Sequence, residues 1–323
     1  MKQLLAIFLS LSSFVASAQI TTGLTGIPDT SFNNPGAYKK ELKYHPGISL
    51  VTTTTMPAVK QDTGIVYCTT GTRQLLLDVF APKGKSRKQR PAILIIHGGG
   101  WRSGNRTQHH PLAQQLASRG YVCFTPEYRL STEALYPAAV HDLQAAIRYI
   151  RTQGRQYGID TNQLAVLGFS AGGQLAALLG VTGNHPAFEG NGCHTKTGTE
   201  VQAILDLDGT LSFVHPESGE GDDSKGISAA TYWFGYPKKE NAALWEAASP
   251  LTYVGPHTPP TLFLNSSVDR MHAGRDDYMK ILRQYGIRTE VYTFEGAPHT
   301  FPLFEPWFHQ VVEQVHAFLQ KVF

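Results

Sequence analysis

Residues 164–176 read LAVLGFSAGGQLA. In this stretch a short apolar run passes into Gly168, Ser170 and Gly172, spaced as G-x-S-x-G, and then directly into an Ala- and Leu-rich helical pattern. A strand, a sharp turn and a helix in this order are the context of a nucleophile elbow, which holds its serine exposed at the tip of the turn. The alternative is an ordinary serine in a glycine-rich turn. The strand, the helix and the partner residues described below favour Ser170 as a nucleophile.

A second glycine stretch follows a continuous apolar run in residues 92–101, AILIIHGGGW. The run is typical of a buried strand covered on both faces, and glycines directly after it let backbone N–H groups point into a site. Acyl transfer needs such donors for the oxyanion of its tetrahedral intermediate. We therefore predict an oxyanion hole formed by Gly99 and Gly100 together with Ala171, the residue after the candidate nucleophile. His97 is expected to hold this loop by hydrogen bonds rather than to act as a base.

A serine nucleophile needs a base, and the base needs an acid that orients it. In the chain order Ser, acid, His, Asp269 follows the strand-like run TLFLN (261–265) and His299 follows EVYTF (290–294). Both fall at the carboxyl ends of predicted strands, so Ser170, Asp269 and His299 are the predicted triad. Asp276 and Asp277 are alternative acids, but they fall inside a helical pattern that would face them to solvent.

The run LDLDGTL (205–211) has a second interpretation. It looks like the nucleophile motif of haloacid-dehalogenase-type phosphatases, in which Asp206 would form an aspartyl-phosphate and Asp208 would act as acid and base. That chemistry also needs a hydroxyl residue, a lysine and a metal-binding acidic pair after later strands, and the pair Asp222–Asp223 precedes any such strand. We therefore interpret the run as a strand, with Asp208 near the rim of the site as a candidate substrate contact.

Strand and helix patterns alternate along most of the chain, which predicts an α/β fold with a mostly parallel sheet and helices on both faces. The predicted domain spans residues 61–323 and follows a Thr-, Gly-, Pro- and Asn-rich arm, residues 19–60. Residues 211–244 interrupt the alternation. They form either a small cap over the candidate nucleophile or a packed surface excursion. The predicted elements are a hairpin at 65–69 and 74–80, strands at 121–128, 164–169, 201–207, 261–265 and 290–294, and helices at 107–118, 140–157, 171–181, 273–285 and 307–322.

The N-terminus combines Lys2, a short apolar run and Ala16-Ser17-Ala18, a pattern typical of a signal peptide over residues 1–18. We expect an exported, soluble protein in the periplasm or outside the cell, because no later apolar run is long enough to span a membrane. The net charge of +3 is spread along the 323 residues rather than clustered, which argues against nucleic-acid binding. The sequence does not decide the oligomeric state.

Three cysteines are too few for a disulfide framework. Cys123 lies in a strand-like apolar run and is expected to be an inert core residue. Cys68 and Cys193 could pair, but their spacing does not require it. Since no Cys/His cluster has metal-ligand spacing, we expect neither a metal nor an organic cofactor.

With these motifs in place, the chain from about residue 65 to 323 resembles the α/β-hydrolase esterases that have an HGGG oxyanion loop and are related to hormone-sensitive lipase. The resemblance implies a serine esterase that forms an acyl-enzyme. Residues 215–220, 299–301 and 305–308 look more narrowly like exported bacterial carbohydrate esterases, which remove acetyl or feruloyl groups from xylan or pectin. We therefore expect deacetylation of plant polysaccharide or oligosaccharide. The alternatives are a feruloyl esterase or a general short-chain carboxylesterase, and a peptidase is less favoured.

Four aromatic residues are expected near this site: Trp101, Tyr128, Trp233 and Trp307. Each of them has core packing as its alternative, above all Trp307, which opens the last predicted helix. Flat apolar rings stack against the C–H faces of sugars while the sugar hydroxyls stay in water. The candidate substrate contacts are Trp101, Tyr128, Trp233 and Asp208.

Overall fold

The structure, a computed structural model, describes residues 18–84, 88–190 and 192–323. The predicted signal peptide, apart from its last residue, lies outside the described residues. The strands are β1 Ser49–Leu50, β2 Val59–Thr70, β3 Arg73–Pro82, β4 Arg90–Ile96, β5 Val122–Pro126, β6 Ile159–Phe169, β7 Ala203–Leu207, β8 Thr261–Asn265, β9 Thr289–Thr293 and β10 Phe304–Glu305. The helices are α1 Asn34–Glu41, α2 His110–Ser118, α3 Ala138–Gln153, α4 Ala171–Val181, α5 Ala229–Phe234, α6 Ala242–Ala247, α7 Arg275–Gln284 and α8 Trp307–Val322.

Eight of these strands form one sheet in the order β2-β3-β5-β4-β6-β7-β8-β9. The hairpin β2–β3 and the pair β3–β5 are antiparallel, while every pair from β5 to β9 is parallel. Connections between parallel strands run through helices, which cover both faces of such a sheet. The predicted mostly parallel sheet is confirmed, and the carboxyl ends of β4, β6 and β7 meet at one edge.

Alternate residues of the central strands feed two separate cores. In β4, Ile93 and Ile95 pack on one face of the sheet with residues of α2 and α8. Leu94 and Ile96 pack on the other face with residues of α3 and α4. The continuous apolar run of β4 therefore reflects burial on both sides, and it fixes the strand that leads into the glycine loop.

The N-terminal arm is ordered and lies against the domain. Asn33 caps α1 by accepting a hydrogen bond from the Gly36 backbone N–H (2.9 Å), as N-cap residues do. Strand β1 then pairs antiparallel with β10. The first part of the arm reaches the loop after β4, where Asp29 forms a bridge with Ser103.

Cys68 on β2 and Cys193 form a disulfide with their Cα atoms 5.6 Å apart, which settles a pairing that the sequence left open. The bond ties the long connection between α4 and β7 to an edge strand of the sheet. Cys123 is buried and unpaired, as the sequence predicts.

Candidate active site

Ser170 lies at the turn between β6 and α4 in a strained backbone conformation, with φ 57° and ψ −122°. Such a conformation is sustained only when its surroundings fix it. The Ser170 N–H donates to the Leu207 carbonyl at the end of β7 (2.8 Å). A Cβ on Gly168 would lie 1.9 Å from the Gly172 carbonyl oxygen, and one on Gly172 would lie 2.3 Å from that of Ile96. Both elbow glycines are thus required by direct backbone contact.

His299 faces this serine from the loop after β9. Its Nε2 lies 2.8 Å from the Ser170 Oγ, which is hydrogen-bonding distance for a base and its nucleophile. Ser267, in the turn that follows β8, anchors this loop by two hydrogen bonds. The Ser267 N–H donates to the Ala297 carbonyl (3.1 Å), and the Gly296 N–H donates to the Ser267 Oγ (2.8 Å). The sequence-predicted pair of serine and histidine is therefore brought together.

The carboxylate behind His299 belongs to Asp208. Its Oδ2 accepts from the His299 Nδ1 at 2.9 Å, and its side chain is fully buried. The other oxygen accepts from the Ser266 backbone N–H at 2.8 Å and from the Asn265 amide at 3.3 Å. The His272 Nε2 lies 3.4 Å from this oxygen. That contact is electrostatic, since its geometry does not make a hydrogen bond.

These neighbours decide the charge of Asp208. Burial alone raises the pKa of a carboxyl group, but the contacts with His272 and His299 outweigh it, so the pKa of Asp208 lies well below its ordinary value. Asp206, two residues earlier, is also buried but accepts from the Gly209 N–H. Its pKa is raised well above the ordinary value, chiefly by burial. A buried carboxyl group that favours its neutral form does not suit the phosphatase nucleophile considered for Asp206.

The prediction that Asp269 is the acid hydrogen-bonded to His299 is wrong. Asp269 is exposed and begins the 3-10 helix Asp269–His272, whereas the His299 Nδ1 is occupied by Asp208. The reason is the path of the chain: the residues directly after β8 anchor the histidine loop, and the turn then carries Asp269 outward. The sequence signal for Asp208 was its place directly after β7, the strand beside β6.

The glycine loop after β4 packs directly against the elbow. A Cβ on Gly98 would lie 3.1 Å from the Ser170 Cβ, and one on Gly99 would lie 1.9 Å from the Ser103 carbonyl oxygen. Gly99 and Gly100 have φ values of 124° and 60°, a region that favours glycine. Ala171 is the first residue of α4, where a backbone N–H has no intrahelical acceptor. The three residues predicted for the oxyanion hole thus lie around Ser170.

His97 supports this loop as the sequence suggests. Its Nδ1–H donates to the Gly98 carbonyl at 2.9 Å, and its ring stacks on Tyr128 with centroids 4.4 Å apart. The Tyr128 hydroxyl donates to the His97 carbonyl (2.9 Å). Burial lowers the pKa of His97 to about 4, so this histidine stays neutral at physiological pH and fixes loop geometry.

The BD-FAE family matches residues 77–273, more than half of the 323-residue chain. This chain belongs to the BD-FAE family. The matched stretch begins in β3 and includes the glycine loop, Ser170 and Asp208, while His299 lies beyond it.

Several curated relatives of this BD-FAE chain, and several solved structures similar to it, are named as esterases. Esterase LipQ of Mycobacterium tuberculosis is 29% identical over 72% of this chain and 56% of its own length, so the chain spans about half the length of the curated relatives it matches. A truncated carbohydrate esterase from gut microbiota superposes with a TM-score of 0.66 at 22% identity, covering 81% of this chain and 96% of that one. Thermogutta terrifontis esterase 2, phosphoramylated by tabun, superposes with a TM-score of 0.67 at 24% identity, covering 83% and 96%. The α/β-hydrolase fold is confirmed.

Three substrate contacts expected from the sequence are buried in this BD-FAE chain. Trp101 is 3% exposed, Tyr128 1% and Trp233 0%. The Trp101 indole N–H donates to Gln174 on α4 (2.8 Å), and its ring stacks on Trp233 with centroids 5.0 Å apart. The prediction that these rings face a sugar is wrong, because Trp101 and Trp233 pack with Phe213 and Tyr128 stacks on His97. Asp208, expected at the rim, binds the histidine instead.

No helix in the described ranges is long and apolar enough to cross a membrane. Within the same ranges, no group of three or more His, Cys, Asp or Glu side chains is arranged to hold a metal ion.

Proposed function

We propose that this protein is a serine carboxylic-ester hydrolase that deacetylates plant polysaccharide or oligosaccharide through an acyl-enzyme on Ser170. The observation that carries the proposal is the continuous chain of contacts from the Ser170 Oγ to the His299 imidazole (2.8 Å) and on to the buried Asp208 carboxylate (2.9 Å). A nucleophile, a base and an orienting acid in this geometry are the parts that acyl transfer needs.

In the proposed reaction His299 takes the proton from the Ser170 hydroxyl while the Oγ attacks the ester carbonyl carbon. The resulting oxyanion accepts hydrogen bonds from the backbone N–H groups of Gly99, Gly100 and Ala171. The tetrahedral intermediate then breaks its bond to the alcohol, which leaves with the proton from His299. A water molecule, activated by the same histidine, releases the acid from Ser170.

Asp208 has two tasks in this scheme. It holds His299 in the tautomer whose Nε2 is free to accept the serine proton, and its negative charge stabilises the imidazolium formed during each step. The lowered pKa of Asp208 keeps the carboxylate ionised throughout the physiological range.

The carbohydrate substrate is supported by the fold shared with a carbohydrate esterase from gut microbiota. The choice of acetyl rests on the sequence resemblance. A feruloyl ester or another short-chain carboxylic ester is the alternative. Thermogutta terrifontis esterase 2 has also been solved with butyrate bound, which illustrates a short acyl group on this fold.

We further propose that the protein acts outside the cytoplasm. The signal-peptide pattern supports export, and the Cys68–Cys193 disulfide supports it independently, because disulfides persist in oxidising compartments and are rare in the cytosol.

The test is a substrate panel: acetylated xylan, acetylated pectin, methyl ferulate, a small aryl acetate and a long-chain fatty ester. Hydrolysis of the acetylated polysaccharides, measured as released acetate, is expected to be faster than hydrolysis of methyl ferulate or of the long-chain fatty ester. Ser170→Ala should abolish every activity and prevent labelling by a fluorophosphonate, while circular dichroism stays unchanged. Ester hydrolysis that survives Ser170→Ala would overturn the mechanism, and activity on long-chain esters alone would overturn the substrate.

A further inference from the structure

A polar depression of about 420 Å³ lies beside the proposed triad. Its wall is formed largely by the residues that follow β8, and one residue comes from the loop after β7. The lining residues are Glu217, Asp269, Arg270, His272, Arg275 and Asp276. None of them takes part in the proposed acyl transfer.

The depression is joined to the triad by direct contacts. The His272 Nε2 in its wall lies 3.4 Å from an Asp208 carboxylate oxygen. Arg275 donates to the Asn265 side-chain carbonyl (2.9 Å), and the Asn265 amide in turn donates to Asp208 (3.3 Å). The walls of the depression are therefore held in register with the acid that orients His299.

Sheet order places the depression on a defined side of Ser170. The glycine loop follows β4 on one side of β6, whereas β7 and β8 lie on the other side. Two strand spacings separate β6 from β8, which is roughly 10 Å. That distance exceeds the length of an acetyl group, so the depression lies where a more distant part of a bound ester would reach.

The histidine side of the serine is also where the alcohol part of an ester belongs, because His299 must protonate the departing alcohol oxygen. The oxyanion donors lie on the opposite side, with the glycine loop. A group bound in the depression would thus be attached to the alcohol, not to the acyl group.

Two exposed charged side chains in the depression make no hydrogen bond within the described residues. Asp269 and Arg270 are exposed, and neither forms an ion pair or a side-chain hydrogen bond in the described part of the chain. In contrast, Arg275 pairs with Asp276, and Glu217 accepts from the Gly274 N–H. Glu220 is an electrostatic neighbour of Arg270, but the donors of Arg270 and the acceptors of Asp269 make no hydrogen bond. Acceptors and donors offered together suit hydroxyl groups, which both donate and accept.

Glu220 lies near both the depression and the catalytic histidine. A Cβ on the preceding Gly219 would lie 3.4 Å from the Arg270 Cδ, and one on the following Gly221 would lie 3.2 Å from the Lys238 Cε. Burial raises the pKa of Glu220 although Arg270, His299 and Lys238 lower it. Glu220 therefore lies within electrostatic reach of both His299 and Arg270.

We propose that this depression is a sugar subsite that binds a neutral, hydroxyl-rich unit of the alcohol part of the substrate, with Asp269 and Arg270 as its specificity-determining residues. The inference rests on the proposed function as a carbohydrate esterase. It also gives sugar recognition a different chemical basis from the one expected from the sequence. Charged hydrogen-bonding groups, rather than aromatic rings, bind the sugar.

The experiment compares kcat/KM for an acetylated xylo-oligosaccharide with kcat/KM for a small aryl acetate in the full chain. Asp269→Asn and Arg270→Gln should each lower the ratio of the two values about tenfold, as expected for a lost hydrogen bond to a charged group. The loss should appear mainly in KM, because the subsite binds substrate away from the reacting atoms. Arg283→Gln on α7 and Asp62→Asn on β2 are the matched charge-removing controls and should leave the ratio as in the wild type.

The outcomes separate this inference from the proposed function. If the wild type does not release acetate from any acetylated saccharide, the proposed function fails. If it does, and neither Asp269→Asn nor Arg270→Gln changes the ratio more than the controls do, the subsite is overturned while the esterase stands. A fall in kcat/KM for both substrates to the same extent would also overturn the subsite, since it would show a general effect on the triad.

Discussion

Asp206 and Asp208 are two positions apart on the same strand end, yet their carboxyl pKa values are shifted in opposite directions. Both side chains are buried, so burial alone does not explain the difference. Asp208 faces two histidines, whereas Asp206 accepts from a backbone N–H and feels the like charge of Asp208. The histidine contacts of Asp208 thus place the negative charge behind His299, whereas burial without such contacts keeps it off Asp206.

Exchanging each candidate acid for its amide tests this assignment. Asp208→Asn should lower kcat/KM for a small aryl acetate by about 10³- to 10⁴-fold, because asparagine neither fixes the histidine tautomer nor stabilises its cation. Asp269→Asn should cost at least a hundredfold less on the same substrate. Steady-state kinetics with matched circular dichroism spectra decides between them. A larger loss in Asp269→Asn would show that the acid is Asp269.

The difference between these acids explains what could be predicted from the sequence. Ser170 could be predicted because its motif and the flanking elements are contiguous, and His299 because it lies in the loop after the last parallel strand. The partner of His299 depends on how residues 294–299 cross the sheet edge, which is set by long-range hydrogen bonds to Ser267. Two strand ends offered an aspartate, and no local pattern distinguishes them.

At the scale of helices and strands, the strongly patterned elements were predicted closely. The bounds predicted for β8, α4 and α8 agree with the structure, whereas β6 begins at Ile159 instead of residue 164. The predicted helix 107–118 starts as a 3-10 turn, Arg106–His109, before α2. The residues near the start of β6 are polar, so the sequence pattern does not show that the strand begins there. Strand formation at these residues depends on pairing with a neighbouring strand.

The aromatic residues of α5 show a different limit. Trp233 and Phe234 are adjacent, yet both are buried, since one packs on Trp101 and the other on Trp245. A helix that is covered on more than one side has no exposed face for its sequence pattern to reveal. The burial of Trp233 was therefore not predictable from the sequence around it.

The disulfide is the element-scale feature with the clearest energetic consequence. Cys68 and Cys193 are 125 residues apart, and closing a loop of that length restricts the unfolded chain substantially. The variant Cys68→Ala/Cys193→Ala should lose about 2–4 kcal/mol of unfolding free energy, measured by urea denaturation. Its kcat for aryl acetate at 25 °C should persist, because β2 lies four strands from β6 in the sheet. A reductant should lower the unfolding free energy of the wild type by the same amount and leave that of the variant unchanged. Equal urea midpoints for the wild type and the variant without reductant would contradict a stabilising role of the disulfide.

At the scale of the whole molecule, the N-terminal arm reaches the proposed oxyanion loop from outside the sheet. The Gly104 N–H donates to the Asp29 carbonyl (3.0 Å), directly after the residue whose carbonyl packs against Gly99. The Asn34 amide donates to the Gln108 carbonyl (2.9 Å), and the Gln108 side chain accepts from the Gly98 N–H (2.8 Å). The arm therefore contacts Gly104 and Gln108, and the residues that touch the glycine loop are next to or part of these contacts.

Deleting residues 19–30 should consequently impair catalysis more than folding. The deletion removes the Asp29 contact but retains α1 and β1, so the sheet and its two cores keep their packing. Small displacements of catalytic donors are costly, and we expect kcat for a small aryl acetate to fall about ten- to hundredfold with KM little changed. The shorter deletion of residues 19–22 leaves the Asp29 contact in place and should retain wild-type kcat. Equal kcat in both deletions, with equal melting temperatures, would show that the glycine loop holds its geometry without the arm.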